Sequence, residues 1–293
     1  MTLEVRIPIS PRPAWINRTR IIAKSIRKWY PDAIVTVSCY PAANELAHQM
    51  EANYVRYPSQ VDHMRWYGTR SEYLNTMMDR YKGPFYGDHI LMLDADVIPV
   101  RQFDELFLFN AISGVQAHVS PYDTVEWIRV FRTFGLSEPD MRYRFTGYPF
   151  MTAQPRGPFY PNSGMVFGPR AMFEKLERPY FDAIEYLRGY QHDTYWFDQV
   201  GLALGIAQAS LPVAPKGMRY NFPNDPRFEE EFPEELEDVR FIHAMRVGEI
   251  DRDSDFEDKD AISDLCDATD LTGSNEILRA HVTRLLPELF PDA

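Results

Sequence analysis

The chain has 293 residues, 45% of them hydrophobic, and a formal net charge of -12, a composition typical of a globular protein with a sizeable core. Its two cysteines exclude a disulfide framework and a thiolate metal site, and 15 acids against 5 bases between residues 225 and 260 disfavour nucleic acid as a partner. No apolar run approaches the roughly 20 residues that span a bilayer, and residues 1–10 lack the apolar core of a secretion signal. We therefore expect a cytoplasmic protein with no transmembrane segment.

The predicted elements alternate between strand and helix, which indicates an α/β fold with a central, mostly parallel sheet and flanking helices. The first strand is predicted at Leu3–Ile9 and the second at 33–38. Between them, Asn17 is expected to cap a helix whose apolar residues recur at helical spacing. Thr69 and Glu72 have the spacing of a capping box, which predicts the start of the next helix.

The rest of the chain continues the same alternation. Further strands are predicted at 89–93, 114–119, 163–168, 207–213 and 239–243, and further helices at 124–134, 169–177 and 195–206. Asp123 and Gly135 have the residue types that begin and end the helix at 124–134, and Ser274 is expected to cap a last helix through Leu289. The stretch 142–161 is rich in proline and aromatic residues and is predicted to be a long functional loop.

Two aspartates, Asp94 and Asp96, follow directly after an apolar strand of the kind that lies in the middle of a parallel sheet. A buried carboxylate without a partner is costly, so the pair is expected to reach water or to meet a cation. In extended geometry the two side chains would point to the same side, about 7 Å apart, at the sheet edge where open α/β folds bind ligands. The alternative is that Asp94 caps a turn while Asp96 is solvated.

Four stretches between Ile90 and His243 resemble the motifs of one enzyme family and occur in that family's order. They are "ILMLDADVIPV", "PNSGMVFG", "FDQVGLALG" and "VRFIH". They resemble the D-x-D element, the asparagine-serine-glycine strand, the Asp-Gln helix and the late histidine strand of nucleotide-sugar glycosyltransferases with the GT-A fold. The likeness is greatest to the glycogenin-like family 8.

The resemblance implies a fold, a division of the chain and an activity. The fold is a GT-A (Rossmann-like) single domain over residues 1–248, with a nucleotide-binding half at 1–120 and an acceptor and sugar half at 121–248. An acidic loop and C-terminal helix at 249–293 would pack on the same domain. The implied activity is metal-dependent transfer of a hexosyl group from a nucleoside-diphosphate sugar, with a UDP-sugar favoured, to a hydroxyl of a carbohydrate, glycolipid or protein, with retention of anomeric configuration.

The resemblance also implies a metal centre. Asp94, Asp96 and His243 would hold Mn²⁺ or Mg²⁺, cations that suit carboxylate oxygens, and the imidazole favours Mn²⁺. The ion would absorb the charge that develops on the leaving diphosphate. The family has a lysine near the diphosphate after its metal-binding histidine, whereas this chain has Arg246, which could do the same electrostatic work from a different angle.

The donor would be held by residues from several motifs. The nucleoside and phosphates are assigned to Pro8, Ile9, Ser10, Arg12, Arg65, Arg70, Asp94 and Ala95, and the sugar to Asn162, Ser163, Gly164 and Gln199. Asp198 has two interpretations. In a retaining enzyme it would position donor and acceptor or shield positive charge, and in an inverting enzyme it would be the general base that deprotonates the acceptor hydroxyl.

Two other classes of protein fit parts of this pattern. A haloacid-dehalogenase-type phosphatase also has D-x-D after an apolar strand, but it carries Thr or Val where this chain has Ile98, and its motif lies near the N-terminus. A catalytically silent GT-A domain could act as a binding module. The complete set of predicted ligands, together with Asp198, favours an enzyme.

Overall fold

The structure is a computed structural model, and it describes most of the chain. The described residues are 1–9, 12–39, 62–66, 77–145, 156–190, 196–245 and 248–290, with backbone alone for 64–66. The strands are β1 (Leu3–Ile9), β2 (Ile34–Cys39), β3 (His63–Trp66), β4 (His89–Leu93), β5 (Val97–Pro99), β6 (Ile112–Gln116), β7 (Tyr143–Arg144), β8 (Arg156–Gly157), β9 (Pro161–Pro169), β10 (Val213–Lys216), β11 (Phe222–Pro223) and β12 (Phe241–His243).

Helices flank the strands. Over the described ranges they are α1 (Pro13–Trp29), α2 (Thr124–Thr133), α3 (Arg170–Tyr190), α4 (Phe197–Gln208), α5 (Pro226–Glu231), α6 (Pro233–Glu237), α7 (Lys259–Asp267) and α8 (Gly273–Leu289). Short 3-10 helices lie at Asp104–Leu108, Met218–Tyr220 and Ser254–Phe256. Within this part of the chain, no helix combines the length and the apolar composition needed to cross a bilayer.

Seven strands form the main sheet, in the order β10-β6-β9-β4-β1-β2-β3. The β10–β6, β4–β1, β1–β2 and β2–β3 pairs are parallel, and only β9 runs antiparallel to its neighbours β6 and β4. The prediction of a central, mostly parallel sheet with flanking helices is therefore confirmed.

The reversed direction of β9 brings the start of that strand to the carboxyl end of β4. Leu93, the last residue of β4, pairs with Met165, so the preceding residues of β9 lie beside Asp94. A second, three-stranded sheet has the order β11-β12-β5, and its antiparallel register pairs His243 with Val97. Both arrangements gather polar residues at the edge of the sheet where β4 ends.

The β4 strand is buried on both faces, which explains its unbroken apolar sequence. Leu91 and Leu93 pack into one hydrophobic core with α1 and α8, whereas Ile90 and Met92 pack into a second core with α3 and α4. Alternate residues of a strand point to opposite faces, so the four residues of β4 after His89, which lie between two cores, offer no polar position.

Most elements lie where the sequence predicts them, and several differences have a clear physical reason. Helix α1 begins at Pro13, four residues before the predicted cap, because proline is favoured in the first helical turn. Asn17 therefore lies within the helix, where its amide donates to the carbonyl oxygens of Phe256 and Glu257. Similarly, α8 is preceded by Thr272, and the hydroxyl of Ser274 donates to Glu229 rather than capping the helix.

The predicted strand at 207–213 is wrong, because α4 continues to Gln208 and the strand begins at Val213. The helix continues because it packs closely on α3, where a Cβ on Gly205 would come 2.9 Å from the Cα of Tyr180. Helix α3 likewise runs past Pro179 to Tyr190. Its buried apolar stripe outweighs the roughly 3 kcal/mol that an internal proline costs a helix.

The remaining predicted elements are found with small shifts or lie partly outside the described residues. Helix α2 has its cap at Asp123, whose carboxylate accepts from the backbone N–H of Glu126, and it is followed by Gly135 with a φ of 87°. The strand predicted at 114–119 is β6, which begins at Ile112. Thr69, Glu72 and the stretch 146–155 of the predicted loop lie outside the described residues.

Candidate active site

The two aspartates lie in a tight turn between β4 and β5, not in extended chain. The backbone N–H of Val97 donates to the carbonyl oxygen of Asp94 at 3.1 Å, and the N–H of Asp94 donates to the carbonyl oxygen of Gly164 at 3.0 Å. Ala95 is buried within the turn. The expectation that the two carboxylates point to the same side of an extended strand is therefore wrong, and each carboxylate has its own cationic partner.

Asp94 is paired with Arg80, a guanidinium that is completely buried. Nη1 of Arg80 donates to Oδ1 of Asp94 at 2.7 Å, and Nη2 lies 4.0 Å from Oδ2 of Asp198. The carbonyl oxygen of Arg80 in turn accepts from Nη1 of Arg6, a buried arginine of β1, at 3.0 Å. One guanidinium thus faces the carboxylate of the D-x-D turn and the carboxylate of the helix α4.

Asp198 lies in the first turn of α4 and is 8% exposed. Burial raises the pKa of its carboxyl group, and the positive charge of Arg80 opposes that rise, while Asp94 adds to it. Hydrogen bonds from Ser163 and from the backbone of Gln199 stabilise the ionised form. The balance leaves the pKa above its ordinary value, so this carboxylate binds a proton more readily than a solvated aspartate does.

Asp96 is held by a different set of cations. Its Oδ2 accepts from Nη1 of Arg252, and its Oδ1 lies 3.6 Å from Nε2 of His243. Burial would raise the pKa of Asp96, but electrostatic interactions with His243, Arg18 and Arg252 outweigh that effect and hold the pKa below its ordinary value. The antiparallel pairing of β12 with β5 explains the contact with His243, because the N–H of Ala244 donates to the carbonyl oxygen of Asp96 at 2.8 Å.

The predicted metal ligands are only partly brought together. Asp96 and His243 are adjacent, whereas the carboxylate of Asp94 contacts Arg80. Among the described residues, no three His, Cys, Asp or Glu side chains lie close enough to hold a metal ion. The donor types nevertheless suit a divalent cation, since a carboxylate oxygen and an imidazole nitrogen are both ligands of Mn²⁺.

The asparagine-serine-glycine segment of β9 packs directly on the turn. Oδ1 of Asn162 accepts from the N–H of Gly164 at 2.8 Å, and Ser163 is buried. A Cβ on Gly164 would come 2.8 Å from that oxygen and 3.2 Å from Cγ2 of Val97, so a glycine is needed at this position. Next to Asp198, Oε1 of Gln199 is buried with no hydrogen-bond partner in the described part of the chain.

The residues predicted to hold the nucleoside and phosphates are placed less completely. Pro8 and Ile9 are buried at the carboxyl end of β1, two strands from β9 and next to β4 in the sheet. The side chain of Arg12 is exposed at the start of α1. Ser10, Arg70 and Arg246 lie outside the described residues, as does the side chain of Arg65, whose backbone belongs to β3.

Three arginines at this site were not predicted from the sequence. Arg80 and Arg252 pair with the two aspartates, and Arg18 donates through Nη1 to the carbonyl oxygen of Arg252. A signal for Arg18 does exist, because it lies four and eight residues before Ile22 and Ile26 on the buried stripe of α1. A charged residue on an apolar stripe indicates a buried ionic partner.

Two further buried polar residues, near His243 and Gly164, were not predicted from the sequence either. His118 is buried, and burial, followed by the charge of His243, lowers its pKa to about 3, so its imidazole is neutral. Asn221 is completely buried, and neither amide atom has a hydrogen-bond partner among the described residues. Its Oδ1 would lie 3.6 Å from a Cβ on Gly164, which places the amide beside the β9 segment.

Comparison with known proteins gives structural likeness without sequence likeness. No protein-family model and no curated protein matches the chain. A solved structure described as galactosyltransferase LgtC in complex with donor and acceptor sugar analogs has a TM-score of 0.49 at 13% identity, covering 94% of this chain and 99% of that one. A second structure, an active site mutant of LgtC, has a TM-score of 0.47 at 13% identity, covering 82% of this chain and 86% of that one. Likeness of this degree does not identify a function, which rests on the residues of the site itself.

Proposed function

We propose that the chain is a GT-A-type glycosyltransferase that transfers a hexosyl group from a nucleoside-diphosphate sugar, with a UDP-sugar favoured, to a hydroxyl of a carbohydrate, glycolipid or protein acceptor. The observation that carries this proposal is the convergence of Asp94, Asp198 and Arg80 where β4 ends. Open α/β sheets bind ligands at this edge. Transfer of a sugar needs both carboxylates near the developing positive charge and cations near the departing diphosphate, and this edge supplies both.

We further propose that a divalent cation, Mn²⁺ or Mg²⁺, binds at this edge. Asp96 and His243 would hold it, with Asp94 as the third predicted ligand, and when bound it would neutralise charge on the diphosphate. The adjacent carboxylate and imidazole support this assignment, since their donor atoms lie 3.6 Å apart. Arg246 is proposed, as predicted, to contact the diphosphate.

The donor sugar is proposed to lie against the start of β9 and the first turn of α4. Asn162, Ser163 and Gln199 would hydrogen-bond its hydroxyls, and Gly164 would let the sugar approach the backbone. The amide oxygen of Gln199 supports this arrangement, because a buried acceptor without a hydrogen-bond partner costs free energy. A hydroxyl group of a bound sugar could donate the missing hydrogen bond. The nucleoside is proposed to lie over Pro8, Ile9, Ser10, Arg12 and Ala95, with Arg65 and Arg70 near the phosphates.

The proposed transfer proceeds with retention of configuration, and Asp198 then acts by position and charge. Its carboxylate, facing Arg80, would lie beside the anomeric carbon and stabilise positive charge that develops there as the bond to the diphosphate lengthens. The buried surroundings strengthen that interaction relative to water.

An inverting transfer is the second candidate, and one observation favours it. The pKa of Asp198 is raised by burial, and a general base is most effective when its pKa lies closer to the working pH than that of an ordinary aspartate. In that case Asp198 would take the proton of the acceptor hydroxyl. The configuration of the product, read from the anomeric coupling in its NMR spectrum, separates the two candidates.

The proposal is tested by measuring thermal stability with a panel of nucleoside diphosphates, each with and without Mn²⁺, followed by release of free nucleoside diphosphate from the matching sugar donors. Selective binding raises the melting temperature by mass action. Asp96→Asn should abolish the metal-dependent part of the shift, and Asp182→Asn, which changes a surface carboxylate paired with Arg178, serves as its matched control. A shift that Asp96→Asn leaves unchanged would remove Asp96 from the ligands, and hydrolysis of a generic phosphate ester instead would favour a phosphatase.

A further inference from the structure

Arg252 occupies the position at Asp96 where the proposed function places a divalent cation. It belongs to the segment that follows β12, in the acidic part of the chain, and its Nη1 donates to Oδ2 of Asp96. The arginine side chain is 26% exposed and the aspartate side chain 9% exposed. The charge of this buried carboxylate is therefore already balanced by a residue of the chain itself.

The contact between Arg252 and Asp96 is a single-point contact. A guanidinium that binds a carboxylate most strongly uses two nitrogens in parallel, whereas here only Nη1 donates to Asp96. Nε of Arg252 is buried and has no hydrogen-bond partner in the described ranges. The guanidinium thus makes one hydrogen bond to Asp96 where two are possible, and its buried Nε–H has no acceptor. A buried donor without an acceptor costs free energy.

The backbone around Arg252 is anchored, so an exchange would involve its side chain. The carbonyl oxygen of Arg252 accepts from Arg18, and the carbonyl oxygen of Ile250 accepts from Nδ2 of Asn224 at 3.0 Å. Asn17 holds the carbonyl of Phe256 on the far side. An arginine side chain has several rotatable bonds between such a fixed backbone and its charged end, which allows the guanidinium to change partners.

We propose that Arg252 competes with the divalent cation for Asp96 and that it links cation binding to diphosphate binding. This inference rests on the proposed function. A doubly charged cation at Asp96 would repel the adjacent guanidinium, which would then be free to bind a diphosphate. The cation and the diphosphate therefore bind cooperatively, because each stabilises the arrangement in which Arg252 has left Asp96.

The first experiment measures Mn²⁺ affinity in the absence of nucleotide, from the electron paramagnetic resonance signal of the free ion. Arg252→Gln removes the competing charge and should tighten Mn²⁺ binding by about tenfold, the effect of one charge-assisted hydrogen bond. Arg252→Lys keeps the charge and should bind Mn²⁺ as the wild type does. Arg178→Gln, which changes a surface arginine paired with Asp182, is the control for a general loss of positive charge. Damage to the fold would weaken binding, so a tighter site has no merely structural explanation.

The second experiment measures the affinity for UDP in the absence of metal, by calorimetry. Asp96→Asn frees Arg252 and should tighten UDP binding, and adding Arg252→Gln to that variant should cancel the gain. Two results together would overturn this inference and leave the proposed function intact: the wild type and Arg252→Gln bind Mn²⁺ with equal affinity, and Asp96→Asn abolishes that binding in both. Absence of any Asp96-dependent Mn²⁺ binding in all variants would overturn the metal-dependent function together with the inference.

Discussion

Arg80 is the residue whose loss should disturb the site most, because it faces two carboxylates from inside the protein. Its side chain is completely buried, whereas Asp94 is 21% exposed and Asp198 10% exposed at the side chain. Arg80→Met keeps most of the volume and removes the charge. Removal of one partner from a buried ion pair costs about 3–5 kcal/mol, and we expect about 3 kcal/mol because water reaches Asp94 in part.

The assay is the melting temperature at neutral pH. For a chain of this size, about 3 kcal/mol corresponds to a fall of roughly 6–12 °C. Arg178→Met is the matched control: its guanidinium is 86% exposed and paired with Asp182 one helical turn away, so its loss should cost less than about 0.5 kcal/mol. A deficit in Arg80→Met no larger than that of the control would refute the ionic role of Arg80.

The pH dependence of the deficit provides a second check. Arg80 is the main influence that opposes the raised pKa of Asp198, so its removal should raise that pKa further. A carboxyl group whose pKa is higher in the folded than in the unfolded protein stabilises the fold below its unfolded pKa, and this contribution is lost as the pH rises through the folded pKa. The deficit of Arg80→Met should therefore be full at about pH 8 and shrink towards about pH 5. A deficit that does not change over this range would contradict the assignment of the lost energy to unpaired carboxylates.

Three further predictions concern other parts of the structure. Gly164→Ala should destabilise the fold by about 1–3 kcal/mol and weaken nucleotide binding, since its Cβ would meet Asn162 and Val97. Gly189→Ala, which has open space around it, is the control and should not destabilise the fold. Equal melting temperatures for the two variants would contradict the close contact at Gly164. Asp198→Asn should lower kcat by about 10²–10⁴ and remove the acid limb of the pH profile if it is a general base, and an acid limb that persists in the variant would exclude that role. Burial lowers the pKa of His281 to about 3, so the wild type should lose stability as the pH falls below about 6.5, the pKa of histidine in the unfolded chain. Melting temperatures measured at each pH should show a smaller loss for His281→Gln over the same range.

The fold was largely predictable because its apolar patterns are local and strong. The strand at 89–93 has four apolar residues in succession after His89, and that pattern has one stable place, between two cores. The strand at 207–213 was mispredicted because its first residues, Ala207 to Ala209, fit the last turn of a buried helix equally well. Only the close packing of α4 on α3 decides between the two, and that packing involves residues far apart in sequence.

The positions of candidate site residues could be predicted where a short motif contains them, but not where the partner of a residue comes from elsewhere in the chain. Asp198, Asn162 and Gly164 follow from short stretches, and the structure places all three around the end of β4. Arg80 and Arg252 lie 14 residues before Asp94 and 156 residues after Asp96. No spacing rule connects such positions, because the folded chain alone brings them together.

The three arginines change how the charge of this site should be understood. Two acidic residues after a central strand suggest an anionic metal site. In the structure, however, Asp94 pairs with Arg80 and Asp96 pairs with Arg252, and Arg18 adds positive charge near Asp96. With Asp198 included, each of the three carboxylates lies near at least one guanidinium group of the described residues before any ligand arrives. The proposed diphosphate donor would bring two negative charges, so a divalent cation that arrives with it would reduce the charge that this edge has to balance. The acidic C-terminal segment therefore contributes to the site through its one arginine at Asp96, and the strength of cation binding should depend on whether a diphosphate is present to accept that arginine.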